Sequence, residues 1–168
     1  VVGFHATSSI LCPEIENIGF LPRKILSVEE HEKILGLGRK LELNISDYEQ
    51  WLGMRSVTFT KVIDQAVTHA KEGKAGGQGL MHVERLLTQI RDQGETAGSE
   101  LLERFCSRVH EIRNAAPVVY VVNLTDLGPR LVDDSSSGFL QMYWNPNAEL
   151  PTESEIGPNR LVARLSIQ

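Results

Sequence analysis

Gly3-Phe4-His5-Ala6-Thr7-Ser8-Ser9-Ile10, followed by Ile15-Glu16-Asn17-Ile18-Gly19-Phe20-Leu21-Pro22, is the stretch on which the reading of this chain turns. A short apolar strand over residues 1–5 runs into small and hydroxylated residues. A brief helix over 9–17 follows, and Gly19 stops it. A histidine at a strand end, followed by small side chains, leaves backbone N–H and C=O groups open to a flat polar ring such as an amide-bearing pyridine. The plainer alternative is a first strand entering a capped helix, with His5 a structural histidine.

Working outward, the Ser27 to Glu30 spacing is that of a capping box. It opens a helix over 28–41, whose centre Gly36 and Gly38 weaken. Ser46 and Glu49 repeat the spacing and open a short helix through Trp51. Ser56-Val57-Thr58-Phe59-Thr60 is β-branched and aromatic, which marks a strand. A helix is expected over 63–71, and a Gly- and Lys-rich loop over 71–79. Leu80, Val83, Leu86, Leu87 and Ile90 recur at helical spacing, as do Leu101, Leu102, Phe105, Val109 and Ile112. The nearly all-apolar run 118–124 reads as a central strand. Residues 138–144 read as another, and 161–167 as a half-buried last strand with Leu161, Ala163, Leu165 and Ile167 on one face. Asp133-Asp134 reads as a turn. Strands gather at both ends and helices in the middle, so α+β is expected rather than a doubly wound sheet.

The 168 residues fit one domain, with a helical insert at about 80–113. A formal charge of −5 carries no global basic footprint of the kind a nucleic-acid coat protein shows. Cys12 and Cys106 are too few for a disulfide framework or a zinc site, and Cys12 is expected as a buried free thiol. No metal ligands are expected. No apolar run reaches membrane-spanning length and no signal peptide is visible. The expectation is a protein with no membrane partner, cytoplasmic or delivered into a target cell; because the chain opens on Val1, a trimmed leader stays open as an alternative.

Three separated pieces together resemble the ADP-ribosyltransferase superfamily, the group of poly(ADP-ribose) polymerases and diphtheria-type toxins. They are His5-Ala6-Thr7-Ser8 with Gly19-Phe20; Thr58-Phe59-Thr60 with Ala66 and His69-Ala70; and Glu149, then Ile156-Gly157-Pro158-Asn159 before Leu161-Val162-Ala163-Arg164-Leu165. Residues 75–115 have no part in the likeness. The resemblance implies a split mixed or antiparallel sheet core with peripheral helices. It also implies cleavage of the nicotinamide–ribose bond of NAD, used as a co-substrate, and transfer of ADP-ribose to a protein or nucleic-acid acceptor, as in a bacterial toxin or effector.

The same resemblance assigns the site. Glu149 would stabilise the oxocarbenium-like ribose, as a carboxylate does in glycoside hydrolysis. Glu153 and Glu155, with the Glu-x-Glu spacing of arginine-modifying members, compete for that role. His5 would hold a ribose hydroxyl, and the Ala6 backbone the nicotinamide amide. Thr7 and Ser8 would face the phosphate side or cap the helix. His69 would stack on nicotinamide, with Thr58 and Phe59 on the second strand. Arg23 and Lys24 could meet the diphosphate, and Gly76-Gly77-Gln78-Gly79 could gate the site. The chain departs from the family where Ala6 replaces a glycine and Thr58 a tyrosine, so it fits neither the His-Tyr-Glu nor the Arg-Ser-Glu subclass. Two alternatives follow from the same fold: an NAD-dependent RNA 2′-phosphotransferase, against which the acidic balance argues, and an inactive NAD- or partner-binding pseudoenzyme.

Overall fold

A computed structural model describes residues 1–22, 26–74, 77–94, 99–134, 136–144 and 154–168. The chain divides into two units, one of residues 1–23, 55–76 and 112–168, the other of residues 24–54 and 77–111. Among the described residues the first unit holds all the strands, and the architecture is helices with an antiparallel sheet, an α+β protein.

The sheet has six strands: β1 (Val2–Ser8), β2 (Ser56–Thr60), β3 (Pro117–Asn123), β4 (Leu131–Asp134), β5 (Phe139–Tyr143) and β6 (Leu161–Ser166). Their order is β4-β5-β2-β1-β3-β6, and every neighbouring pair is antiparallel. Alternation along the strands sorts their side chains onto two faces. On one face Val57, Phe59, Val118, Tyr120, Val122, Leu140 and Met142 form a core with Cys12 and Ile15. Those two come from α1 (Cys12–Ile18), which enters through a 3₁₀ turn at Ser9–Leu11. On the other face Phe4, Ala6, Val119, Leu165 and Ile167 pack with Ala66 and Ala70. Ala66 belongs to α4 (Ile63–His69), which continues as a π-helical turn at Ala70–Lys74 rather than as the helix to residue 71 that periodicity suggests.

Three further details, all in the sheet, differ from the sequence reading. β1 runs on to Ser8, because β3 pairs with it along its whole length, so His5 sits in mid-strand and not at a strand end. Asp133 and Asp134 belong to edge strand β4; the turn follows them. A bulge opposite Val121 and Val122 shifts the register of β6. Leu161 consequently packs in the α1-side core while Leu165 and Ile167 pack on the α4 side, so these residues do not share one face.

In the second unit α2 (Val28–Lys40) carries the expected capping box. Glu30 N–H donates to Ser27 Oγ at 3.2 Å and Ser27 N–H to the Glu30 carboxylate at 2.9 Å. The box expected at Ser46 does not form. Asn44 instead accepts from both the N–H and the hydroxyl of Ser46, at the start of α3 (Ser46–Gly53). The other helices are α5 (Gly77–Asp92) and α6 (Ser99–Asn114). Tyr48 is buried and joined to His31 by a hydrogen bond, with Trp51 stacked on it at 5.7 Å.

Candidate functional site

The hydrogen-bond phase of the sheet defines an opening beside His5. In antiparallel ladders, residues alternate between bonding one neighbour and the other. Leu124 N–H donates to the Val1 carbonyl (2.8 Å) and Ser9 N–H to that of Ala116 (2.9 Å). Odd-numbered residues of β1 therefore bond β3, while Phe4, Ala6 and Ser8 turn their N–H and C=O groups toward β2. On the far side, Trp144 N–H donates to the Arg55 carbonyl (2.9 Å) and Lys61 N–H to that of Gly138 (3.0 Å). Odd residues of β2 thus bond β5, and Ser56, Thr58 and Thr60 face β1.

These inward-facing groups meet at one position only, Phe4↔Thr60. Ala6 and Thr58, the next residues in phase, do not pair. The Thr58 carbonyl accepts instead from His5 Nδ1 at 2.9 Å. His5 thus meets a carbonyl that the phase directs toward β1, and the same phase directs the N–H and C=O of Ala6 toward β2, at the notch where the β1–β2 ladder has no pair.

That bond also fixes the chemistry of His5. A carbonyl only accepts, so Nδ1 carries the proton and the neutral ring presents Nε2 as an acceptor. Phe20 lies against the imidazole at 4.7 Å and 64°, and Phe59 at 5.6 Å. The ring is half-buried, and this partial withdrawal from water holds its pKa below the ordinary histidine value, with the Thr58 bond opposing in part. His5 is therefore a neutral hydrogen-bond acceptor near pH 7.

The remaining predicted residues divide around this notch. Phe59 is wholly buried and lies on the His5 face. Thr7 is buried and paired with Val118. Ser8 is fully buried, its hydroxyl has no hydrogen-bond partner, and it does not cap the turn that follows. The Ala6 side chain packs toward Ala66 and Val119. Its Cβ therefore points away from the notch. Thr58 lies opposite Gln141 of β5, whose side-chain oxygen accepts from the Tyr143 hydroxyl. His69 ends α4, 6.2 Å from the Phe139 ring. Phe139 alternates with the buried Leu140, which puts His69 on the face opposite His5. The structure thus brings His5, Phe59 and the Thr58 carbonyl together and does not bring His69 to them.

Glu149 and Glu153 lie outside the described residues, as do Arg23, Lys24 and Gly76. Glu155 is described: it forms an ion pair with Arg130 in a bend, not a strand. Cys12 is a buried free thiol, its Sγ 3.9 Å from the Ser8 carbonyl.

A network that the sequence did not reveal lies on the same face. Tyr120, cross-strand from His5, donates its hydroxyl to Glu16 at 2.8 Å, and Arg164 donates to the same carboxylate oxygen at 2.7 Å. Burial is the main cause that pushes the Tyr120 hydroxyl pKa up, with Cys12 and Glu16 adding to it. The signal for it was a lone tyrosine in an apolar strand, whose hydroxyl needs a partner when buried. Among the described residues no cluster of three or more His, Cys, Asp or Glu could hold a metal ion, and no helix is long and apolar enough to cross a membrane. No protein-family model matches the chain, and neither a curated protein nor a solved structure was found to match it.

Proposed function

We propose that this protein is an NAD-dependent ADP-ribosyltransferase that breaks the nicotinamide–ribose bond and passes ADP-ribose to a macromolecular acceptor. The observation that carries this reading is the unpaired strand edge at Ala6 beside a neutral, acceptor-only His5 Nε2. A primary carboxamide offers one C=O and one N–H₂ in a plane. The N–H and C=O of Ala6 match it as a neighbouring strand would. His5 Nε2 complements a sugar hydroxyl. The Ala6 Cβ, directed to the α4 side, leaves room where the family has glycine. The sheet core of the transferase type, split at the notch between β1 and β2, belongs to the same proposal.

In this reading the Ala6 backbone orients the leaving nicotinamide, and His5 fixes the ribose by accepting from a hydroxyl. Glu149 supplies the negative charge that stabilises the oxocarbenium-like ribose, a proposal that rests on the sequence pattern. Thr58 contributes through its carbonyl, which orients His5, rather than as an aromatic wall.

The test is transfer of label from biotin-tagged NAD to a cell extract, by wild type, Glu149→Ala and His5→Ala, followed by protease and nuclease digestion. Label that requires Glu149 supports the transferase, and its digestion pattern assigns the acceptor class. NAD binding without label points to a pseudoenzyme. Absence of both overturns the proposal.

A further inference from the structure

We propose that Phe20 is a positioning residue for His5: its ring walls the imidazole on one side, keeping Nδ1 on the Thr58 carbonyl and Nε2 free to accept. A histidine ring turns about a broad, roughly two-fold terminal torsion, so a single hydrogen bond selects its orientation weakly. A rigid neighbour packed against the ring holds its plane, and within that plane the Thr58 bond selects the orientation that places Nδ1 on the carbonyl.

Phe20 is built to be such a neighbour. It is buried to 4% exposure, and its ring touches three others: His5 at 4.7 Å, Phe59 at 5.4 Å and Tyr120 at 5.8 Å. Its backbone is held from outside the helix. Phe20 N–H donates to the Ile156 carbonyl at 3.0 Å in an isolated antiparallel bridge. The Ser154 hydroxyl donates to the Phe20 carbonyl and accepts from Ile156 N–H at 3.0 Å. The Arg130–Glu155 ion pair anchors the same segment. Gly19, at φ 82°, makes the approach possible, since a Cβ there would run into the Ile156 carbonyl. Glu155, a rival for the catalytic carboxylate on sequence grounds, thereby acts in holding Phe20. Among the described residues, besides the Arg130–Glu155 pair, titratable and charged groups near this face are Tyr120 of β3, Cys12 and Glu16 of α1, and Arg164 of β6. Tyr120 and Arg164 bond Glu16, and none of the four bonds His5. Only the use of Nε2 toward a ribose hydroxyl rests on the transferase reading.

The test is the long-range ¹H–¹⁵N spectrum of His5 without ligand, for wild type, Phe20→Leu and Ser154→Ala. Wild type is expected as one neutral tautomer, protonated at Nδ1, at pH 7. Phe20→Leu should show mixed tautomers and a titration midpoint higher by about one pH unit as water reaches the ring. Ser154→Ala, which leaves all four rings in place, should move both readouts the same way by less. A Phe20→Leu protein that folds with the wild-type His5 spectrum overturns the proposal, as does an Nε2-protonated wild type. Should Phe20→Leu not fold, an unchanged His5 in Ser154→Ala overturns it. The readout uses no NAD. Absence of label transfer with the tautomer pattern as expected would therefore count against the transferase reading alone.

Discussion

At the residue scale, His5 carries a pH signature whose sign follows from its surroundings. Its folded pKa lies below the ordinary value of 6.5 because burial disfavours the imidazolium. Above that value the folded and unfolded chains both hold the ring neutral, and His5 adds nothing to the pH dependence. As pH falls through it, the unfolded chain takes up a proton that the folded one refuses, so stability drops. His5→Asn can still donate an N–H toward Thr58 but does not titrate. Its stability should fall less steeply than wild type as pH drops below about 6.5, by up to roughly 1.4 kcal/mol per pH unit. Urea titrations at half-unit pH steps measure the difference, and parallel curves would refute the assignment. Gly19 is the other residue whose identity is dictated locally. Gly19→Ala combines a left-handed φ with a collision against the backbone of residues 156 and 157, where the new Cβ would lie 2.7 Å from Gly157 Cα. A loss of more than about 2 kcal/mol is expected, read from the urea midpoint.

At the scale of elements, the phase of β1 makes an unusual contrast testable. Proline in a strand interior removes a ladder hydrogen bond. The N–H of Thr7 faces β3, in phase with Ser9, and Thr7→Pro should cost about 3 kcal/mol or more. The N–H of Ala6 faces the notch, so Ala6→Pro should be clearly less destabilising than Thr7→Pro; on the proposed transferase reading it should also abolish NAD binding. Equal losses in thermal unfolding would mean that Ala6 is bonded within the sheet. In α2 two glycines look alike in sequence and differ in place. Gly36 is exposed with open space around it, whereas a Cβ on Gly38 would lie 2.8 Å from Ile45 and 3.4 Å from Leu86. Gly36→Ala should stabilise by about 0.5–1 kcal/mol from helix propensity. Gly38→Ala should lose that gain to crowding. The helix itself was legible because its capping box and apolar spacing are local signals. β4 was not, since Leu131-Val132-Asp133-Asp134 is short and acidic, as edge strands often are, and reads as a turn without knowledge of its partner β5.

At the scale of the whole molecule, what the sequence revealed and what it hid follow one physical line. Strand identity, helix periodicity and the α+β class are local or compositional. The notch beside Ala6 is neither: it arises because β2 leaves β1 after Phe4↔Thr60 while β3 stays with it to Ser8. The sequence pointed to His5 and Ala6, but it explained their exposed backbone by a strand end, and the roles of Phe20 and Tyr120 depend on partners more than a hundred residues away. His69 suits the pattern along the chain, yet the sheet puts it on the face away from His5. One consequence can be read on the intact protein. If His5 accepts from a sugar hydroxyl, binding needs the neutral ring. NAD affinity should then be flat from about pH 6.5 to 8 and weaken only below that range. His5→Ala removes one hydrogen bond to a neutral group, so affinity should fall by up to about tenfold. Gly36→Ala, in the other unit, should bind as wild type does. Calorimetry across this pH range separates the cases. Affinity that rises on acidification would mean that a protonated His5 donates to the ligand, and the assignment of Nε2 as acceptor would have to be abandoned.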